Sequence, residues 1–114
     1  MRRTFAVVAA LGAAGILMVA PGATSGRATK TIDVGDNFFA PKDKKIKKGD
    51  KLAFNWVGSE EHDVARAKGP GKFFESGPIT GSGVQYSHKF KDAGKYKIIC
   101  TLHQEMKMNL EVKK

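Results

Sequence analysis

Four side chains with metal-binding chemistry lie close together near the end of the sequence. The stretch at residues 100–108 holds a thiol (Cys100), an imidazole (His103) and two thioethers (Met106 and Met108). Thiolate and thioether are soft ligands that select copper, and imidazole binds copper as well. Two histidines and one cysteine with a long axial methionine are characteristic of electron-transfer copper sites. The stretch therefore predicts a copper site, provided that a second histidine joins it from elsewhere in the chain.

His62 is the candidate for that second histidine. The residues before it, Gly58–Glu61, are typical of the break after a strand, and Val64 is predicted to start another strand. We therefore expect His62 in a loop at the same end of the fold as Cys100. The remaining histidine, His88, lies in an alternating segment and is predicted to be a half-exposed structural residue of a strand.

The first 25 residues have the pattern of a secretory signal peptide. A basic start, Met1–Arg3, precedes the apolar and glycine run Phe5–Ala20, and small residues follow at 21–25. The run is shorter than the ~20 residues that a membrane-spanning helix usually needs. A cleaved signal is favoured, with cleavage after Ser25 or, alternatively, after Gly22. This predicts export to the periplasm or the exterior, with membrane contact only if the leader is retained.

The rest of the chain, residues 26–114, is the size of one small domain with a single core. It holds one cysteine, so it has no internal disulfide, and a leftover thiol in an exported chain needs an explanation. Copper ligation supplies that explanation.

The charge of the chain is strongly basic. Twenty lysines and arginines stand against 11 acidic residues, a formal net charge of +9, and about +7 would remain without Arg2 and Arg3. Such a charge predicts an acidic partner or surface. Nucleic acid is disfavoured, because an exported protein rarely meets it and the lysines are dispersed along the chain rather than gathered in one arm. Two stretches, 42–48 and 89–97, are the richest in lysine.

Short alternating segments separated by turn signals run through the domain, and none shows a sustained 3.6-residue period. Leu52, Phe54 and Trp56 share one parity and are predicted to face the core. Residues 37–41 are predicted to form an aromatic-rich bend. This pattern predicts an all-β sandwich or barrel. The predicted strands are Thr31–Val34, Lys51–Trp56, Val84–Phe90, Tyr96–Cys100 and Lys107–Val112.

The spacing Cys-x-x-His-x-x-Met at residues 100–106, preceded by the segment 92–99, resembles the C-terminal copper loop of the cupredoxin family. The likeness is greatest to its amicyanin-, plastocyanin- and pseudoazurin-like members, and it extends back through His62 to residues 39–50. The resemblance implies a Greek-key β-sandwich of about seven or eight strands, as in other small sandwich domains. It also implies a monomeric carrier of single electrons, not an enzyme, that passes them through His103, the histidine on the solvent-facing edge of the site. The ligands implied for its one copper ion are His62, Cys100, His103 and an axial methionine.

The axial methionine is either Met106, which matches the short loop of some cupredoxins, or Met108, which matches a longer one. The chain ends at Lys114, and a final strand needs ~5–6 residues. Met106 as the ligand leaves Lys107–Val112 for that strand, whereas Met108 leaves too few residues. Met106 is therefore predicted, with Met108 as the alternative.

Asp63 departs from the family pattern, which usually has asparagine there. The backbone N–H of that residue commonly bonds the cysteine sulfur, a contact that aspartate can also make. A carboxylate near the metal would favour Cu(II) and lower the reduction potential.

Three functions fit these residues. The first is a blue copper electron carrier whose redox-partner proteins present an acidic docking surface. The second is a module for copper delivery or storage, which the Cys100 thiolate disfavours. The third is a catalytic mononuclear copper site in which Glu60 or Glu61 is a ligand and one position stays open.

Overall fold

The computed structural model of the chain describes residues 28–114, which form eight strands in two four-stranded sheets. The predicted leader, residues 1–25, lies outside the described residues. Among the residues that the structure describes, no helix is long and apolar enough to cross a membrane. The strands are β1 Thr29–Gly35, β2 Phe38–Ala40, β3 Asp43–Lys47, β4 Lys51–Trp56, β5 Ala65–Lys68, β6 Gly83–Lys89, β7 Gly94–Cys100 and β8 His103–Lys113.

The two sheets form a β-sandwich, which confirms the predicted all-β class. The first has the strand order β2-β1-β4-β6 and the second the order β3-β8-β7-β5. Strand β1 runs parallel to β4, and β3 runs parallel to β8, while the other neighbours are antiparallel. The chain crosses from the first sheet to the second between β4 and β5, through residues 57–64. That crossing segment contains His62.

The inward faces of the sheets form the core. In β8 the even-numbered residues are buried from Met106 to Val112 and the odd-numbered ones are exposed or half-buried, the alternation that a sheet with one wet face requires. Leu52, Phe54 and Trp56 are buried as predicted, at 0–1% exposure. Burying an apolar side chain of this size contributes about 1.5–3 kcal/mol. Packing of the core therefore fixes the positions of the strand ends and of the loops that connect them.

Two strand predictions were wrong. Residues 38–40, predicted as a bend, form β2, because Asn37 turns the chain with a positive φ of 76° and lets Phe39 pair with Val34 in β1. The last strand begins at His103 rather than Lys107 and pairs with β7 up to Cys100. Met106 and Met108 therefore both lie inside β8. The choice of Met106 because it leaves enough residues for a final strand does not hold.

His88 is half-exposed, as predicted. Its ring stacks on Phe74 with centroids 3.9 Å apart and meets the edge of Phe90 at 4.7 Å. Burial against these rings lowers the pKa of His88, because the charged form loses hydration there. His88 is therefore a structural residue that packs against the aromatic side chains of Phe74 and Phe90.

Candidate metal centre

Three of the predicted site residues meet at one end of the sandwich. Cys100 ends β7, His103 begins β8, and His62 lies in the segment that crosses between the sheets. The possible ligand atoms of the three side chains all lie within 4.8 Å of one another. The Nδ1 atoms of the two histidines are 3.2 Å apart, and Cys100 Sγ is 3.6 Å from His103 Nδ1.

These separations suit a single metal ion of the transition series. Tetrahedral sites have metal–nitrogen bonds of about 2.0 Å and metal–sulfur bonds of about 2.3 Å, which separate two nitrogens by about 3.3 Å and nitrogen from sulfur by about 3.5 Å. The measured 3.2 and 3.6 Å are close to both values. One soft sulfur with two imidazole nitrogens is a donor set that copper accepts in both of its oxidation states. The residues present therefore fit a copper ion.

Cys100 is almost completely buried, with 2% of its surface exposed. Its sulfur accepts a hydrogen bond from the backbone N–H of Asp63 at 3.5 Å, the contact that the sequence led us to expect. Burial raises the pKa of the Cys100 thiol, and the Asp63 N–H partly offsets this by stabilising the thiolate.

His62 is fully buried, and both its backbone and its ring have defined partners. Its backbone forms two hydrogen bonds with Ile79, of 3.0 and 2.8 Å, which pin the crossing segment to the chain before β6. Its ring turns Nδ1 towards His103 and Nε2 towards Asp36, whose Oδ1 is 2.8 Å away. This contact with His62, together with the backbone N–H groups of Glu60 and Ser59, holds the pKa of the Asp36 carboxyl far below its usual range.

His103 forms the edge of the cluster that faces solvent. Its side chain is 24% exposed, whereas that of His62 is fully buried. The Nε2 atom of His103 lies 3.3 Å from Oε1 of Glu60, whose side chain is 57% exposed. The sequence placed His103 in the turn after Cys100, but that turn comprises only Thr101 and Leu102, because β8 already begins at His103.

The Asp63 carboxylate joins the two segments that carry the cluster. Its Oδ1 accepts the backbone N–H of Thr101 at 2.6 Å, and its Oδ2 accepts the Thr101 hydroxyl at 2.5 Å. Asp63 is 3% exposed and Thr101 is exposed, so these bonds lie at the boundary between the core and solvent. Hydrogen bonds to a charged group are stronger than those between neutral groups. Asp63 thus ties the segment before β5 to the turn after β7.

Both candidate axial methionines are completely buried. Met108 lies opposite Ile98, two residues before Cys100 in β7, and Lys107 lies opposite Ile99. Two strand residues span about 6.6 Å. Met108 therefore lies deeper in the core than the end of β7, and Met106 lies two residues nearer that end.

Sequence reasoning missed Asp36, Ile79 and the side-chain bonds between Asp63 and Thr101. Each of these residues meets its partner across 17 or more positions of the chain. Asp36 stands in an ordinary Asp-Asn turn signal, which predicts a turn but no contact with a histidine. No local pattern marks such residues, so only the packed fold identifies them.

Replacing Asp63 tests how much the cluster depends on this junction. We expect Asp63→Ala to lower the free energy of unfolding by about 1–3 kcal/mol, because two donors of Thr101 lose their acceptor. Denaturant unfolding of the copper-free protein measures the loss. Asp43→Ala is the matched control, since Asp43 accepts one exposed hydrogen bond from Asn109 at 2.9 Å. Equal losses for the two variants would contradict the role given to Asp63.

Comparison with known proteins identifies the family of the chain. Residues 27–113 match the family described as copper binding proteins, plastocyanin/azurin family. No curated protein sequence matches the chain.

Solved structures share the fold at low sequence identity. An oxidised variant of amicyanin is 21% identical, with 75% of this chain and 82% of that chain covered and a TM-score of 0.66. A reduced amicyanin variant is 22% identical, covering 83% and 86% at the same TM-score. A purple cupredoxin from Nitrosopumilus maritimus is 22% identical, covering 74% and 99% with a TM-score of 0.64. Because the family match spans nearly all of the described residues, the chain belongs to the plastocyanin/azurin family of copper-binding proteins, and one copper ion is its metal.

Proposed function

We propose that this protein carries single electrons between redox partners, with copper bound by His62, Cys100, His103 and Met106. The observation that carries the proposal is the cluster itself, in which two Nδ1 atoms and a buried sulfur already stand at metal-binding separations. Bound copper supplies a one-electron couple between Cu(I) and Cu(II). The function requires the chain to keep the ligands in place through both states.

The contacts around the cluster support little rearrangement. The Asp63 N–H donates to the Cys100 sulfur, and the backbone of Ile79 bonds that of His62. The Asp63 carboxylate accepts the N–H of Thr101 in the turn after β7. These bonds resist displacement, because breaking one would leave a buried group of Cys100, His62 or Asp63 without its partner. Such a set of bonds suits a carrier that must accept and release an electron without changing shape.

His103 is the route that we assign to electrons entering and leaving. Of the three clustered side chains, only that of His103 has substantial exposure, while His62 and Cys100 are buried. Leu102 beside it is 44% exposed and offers an apolar contact to a partner. A partner docked at this edge would approach the cluster most closely.

Met106 is the axial ligand in this proposal, and the register supports it. The cluster lies at the end of β7, and Met106 is two residues nearer to that end than Met108, which lies opposite Ile98. Met108 then packs in the core beneath the site.

The other two functions have less support. A delivery or storage module needs no buried thiolate, and Cys100 is buried and hydrogen-bonded to the Asp63 N–H. A catalytic site would need Glu60 or Glu61 as a ligand. Glu60 instead contacts Nε2 of His103, the nitrogen turned away from the cluster, and Glu61 is exposed.

A lysine-rich surface supports an acidic docking partner. The outer face of the second sheet carries lysines on β3, β7 and β8, and Lys97 lies directly opposite Lys68 of β5, as Lys47 lies opposite Lys113. Like charges at such positions destabilise a sheet. Within residues 28–114, the only ion pairs closer than 4.0 Å involve histidines, so none links a lysine to a carboxylate. We call this surface the lysine face; it comprises Lys45, Lys47, Lys95, Lys97, Lys107 and Lys113.

The lysine face begins next to the metal centre. Lys107 lies opposite Ile99 and lines a shallow cavity of about 440 Å³ together with Cys100 and Thr101. An acidic partner bound there would be held beside the cluster by charge attraction. With the predicted leader at residues 1–25, we infer an exported monomer that meets this partner outside the cytoplasm.

The spectrum of the copper-loaded protein tests the ligand set. We expect an intense visible band from the Cys100 thiolate to bound Cu(II), and Cys100→Ser should abolish it because the serine oxygen is a hard ligand. The position of the band distinguishes a blue centre from one resembling the purple cupredoxin. A colourless Cu(II) protein whose spectrum survives Cys100→Ser would refute the proposal.

The same substitution at both methionines distinguishes the axial ligand. Met106→Leu and Met108→Leu each conserve volume, so each should lower the free energy of unfolding by less than about 1.5 kcal/mol. Only Met106→Leu should raise the reduction potential and alter the Cu(II) spectrum, because it alone removes a thioether from the metal; Met106→Gln should lower the potential. A shifted potential in Met108→Leu with an unchanged Met106→Leu would reverse the assignment.

The charge of the docking surface is tested with small redox complexes. Electron exchange with anionic hexacyanoferrate should be slower at high ionic strength, because salt screens attraction beyond about 10 Å at 0.1 M. Lys107→Glu and Lys97→Glu should slow it further, whereas Lys89→Glu, on the first sheet, should have a smaller effect. Cationic hexaammineruthenium should show the opposite salt dependence. A rate with hexacyanoferrate that rises with ionic strength in the wild-type protein would show that the exposed edge prefers basic partners.

A further inference from the structure

One carboxylate outside the ligand set contacts the remote nitrogen of the buried histidine, His62. Asp36 lies in the turn between β1 and β2, and its Oδ1 is 2.8 Å from Nε2 of His62. His62 is completely buried, while the Asp36 side chain is 35% exposed. The imidazole ring therefore lies between the cluster on one side and a charge at the protein surface on the other.

The segment before His62 is built around the same carboxylate. The backbone N–H of Ser59 donates to Oδ1 and Oδ2 of Asp36 at 3.1 Å each, and that of Glu60 donates to Oδ1 at 3.0 Å. The Ser59 hydroxyl adds a contact of 3.3 Å to Oδ2. A Cβ atom on Gly58 would stand 2.2 Å from Oδ1, so only glycine lets the segment approach this closely. Asp36 is thus fixed by several donors and is not free to turn to solvent.

An ionised carboxylate accepts hydrogen bonds and donates none. The proton of the neutral His62 ring therefore resides on Nε2, and Nδ1 keeps its lone pair pointing towards His103 Nδ1, 3.2 Å away. A carboxylate on the remote nitrogen fixes the tautomer and the ring orientation of a metal-binding histidine and makes it a stronger electron donor.

The second histidine of the cluster lacks a comparable fixed partner. His103 Nε2 lies 3.3 Å from Glu60 Oε1, but the Glu60 side chain is 57% exposed. An exposed ion pair of this kind contributes little, because both side chains lose freedom and water competes for the contact. The two histidines therefore differ in support as well as in burial. The buried His62 has a fixed carboxylate on its remote nitrogen, whereas the partly exposed His103 has only an exposed one.

We propose that Asp36 is a positioning residue that holds His62 with Nδ1 directed at the copper site and strengthens it as a donor to Cu(II). The proposal rests on the proposed function only in that copper binds at this cluster. Asp36 lowers the reduction potential by favouring the oxidised ion, and it raises the affinity for Cu(II).

The test compares Asp36→Asn with Glu60→Gln, two changes that each replace a carboxylate by an amide of the same size. Asp36→Asn should weaken Cu(II) binding about 10–100-fold, as loss of such a partner typically does, and should raise the reduction potential. Glu60→Gln should leave the affinity for Cu(II) within a few-fold of wild type and the reduction potential near the wild-type value. Ser59→Ala keeps the contact with His62 and should also behave as wild type. Equal effects for Asp36→Asn and Ser59→Ala would assign Asp36 to loop structure alone.

A measurement on the copper-free wild-type protein separates this inference from electron transfer. Nitrogen NMR above the titration range of histidine should show the His62 proton on Nε2, with the shift of a hydrogen bond to a carboxylate. A His62 proton on Nδ1 would overturn the proposal, whether or not any variant folds. The tautomer can be as proposed even if the copper-loaded protein proves unable to exchange electrons, so failure of the proposed function would be seen separately.

Discussion

The hydrogen bonds of Asp63 are the interaction on which the metal centre depends. Its backbone N–H reaches the Cys100 sulfur, and its carboxylate holds the N–H and hydroxyl of Thr101. One residue therefore joins the segment that crosses between the sheets to the hairpin end of β7 and β8. Without this junction, the crossing segment would be joined to the end of β7 only by the pairing of β5 with β7, so the separation between His62 and Cys100 would be held less firmly.

The rest of the centre follows a gradient from core to surface. Cys100 is buried and bonded to backbone, and His62 is buried and bonded to Asp36. His103 is partly exposed beside the exposed side chain of Glu60. Burial makes hydrogen bonds stronger and excludes water, so the inner ligand candidates are held most firmly. The exposed edge is where a partner can come close. A single small cluster can thus combine rigidity with access.

The charges follow a similar division. The turn and crossing segment beside the histidines carry the acidic residues Asp36, Glu60 and Glu61, whereas the outer face of the second sheet carries the lysine face. The acidic groups near the cluster act locally: Asp36 bonds a ring nitrogen and Asp63 bonds a neighbouring turn. Among the described residues, the lysines form no ion pair closer than 4.0 Å with a carboxylate, although Glu111 lies opposite Lys45 and Lys95. Their excess positive charge acts at longer range. Local geometry and long-range attraction are therefore served by different residues.

Much of this protein follows from short-range features of the sequence. Alternation with a period of two identified β4, β6 and β7 and the buried face of Leu52, Phe54 and Trp56, because one face of each pairs with the core. The ligand chemistry at residues 100–108 indicated copper, since softness is a property of the side chains themselves. Strand ends were less accurate: β2 and the start of β8 depend on pairing with β1 and β7, which the local pattern does not contain.

What only the tertiary structure decided is which distant groups meet. Asp36 reaches His62 across 26 positions and Asp63 reaches Thr101 across 38, through turns whose residues look ordinary in the sequence. The same holds for the register that sets Met108 opposite Ile98. The sequence alone determined the fold class and the chemistry of the candidate ligands. The packing of the two sheets determined how those ligands are held, because contacts between remote segments exist only after the core has formed.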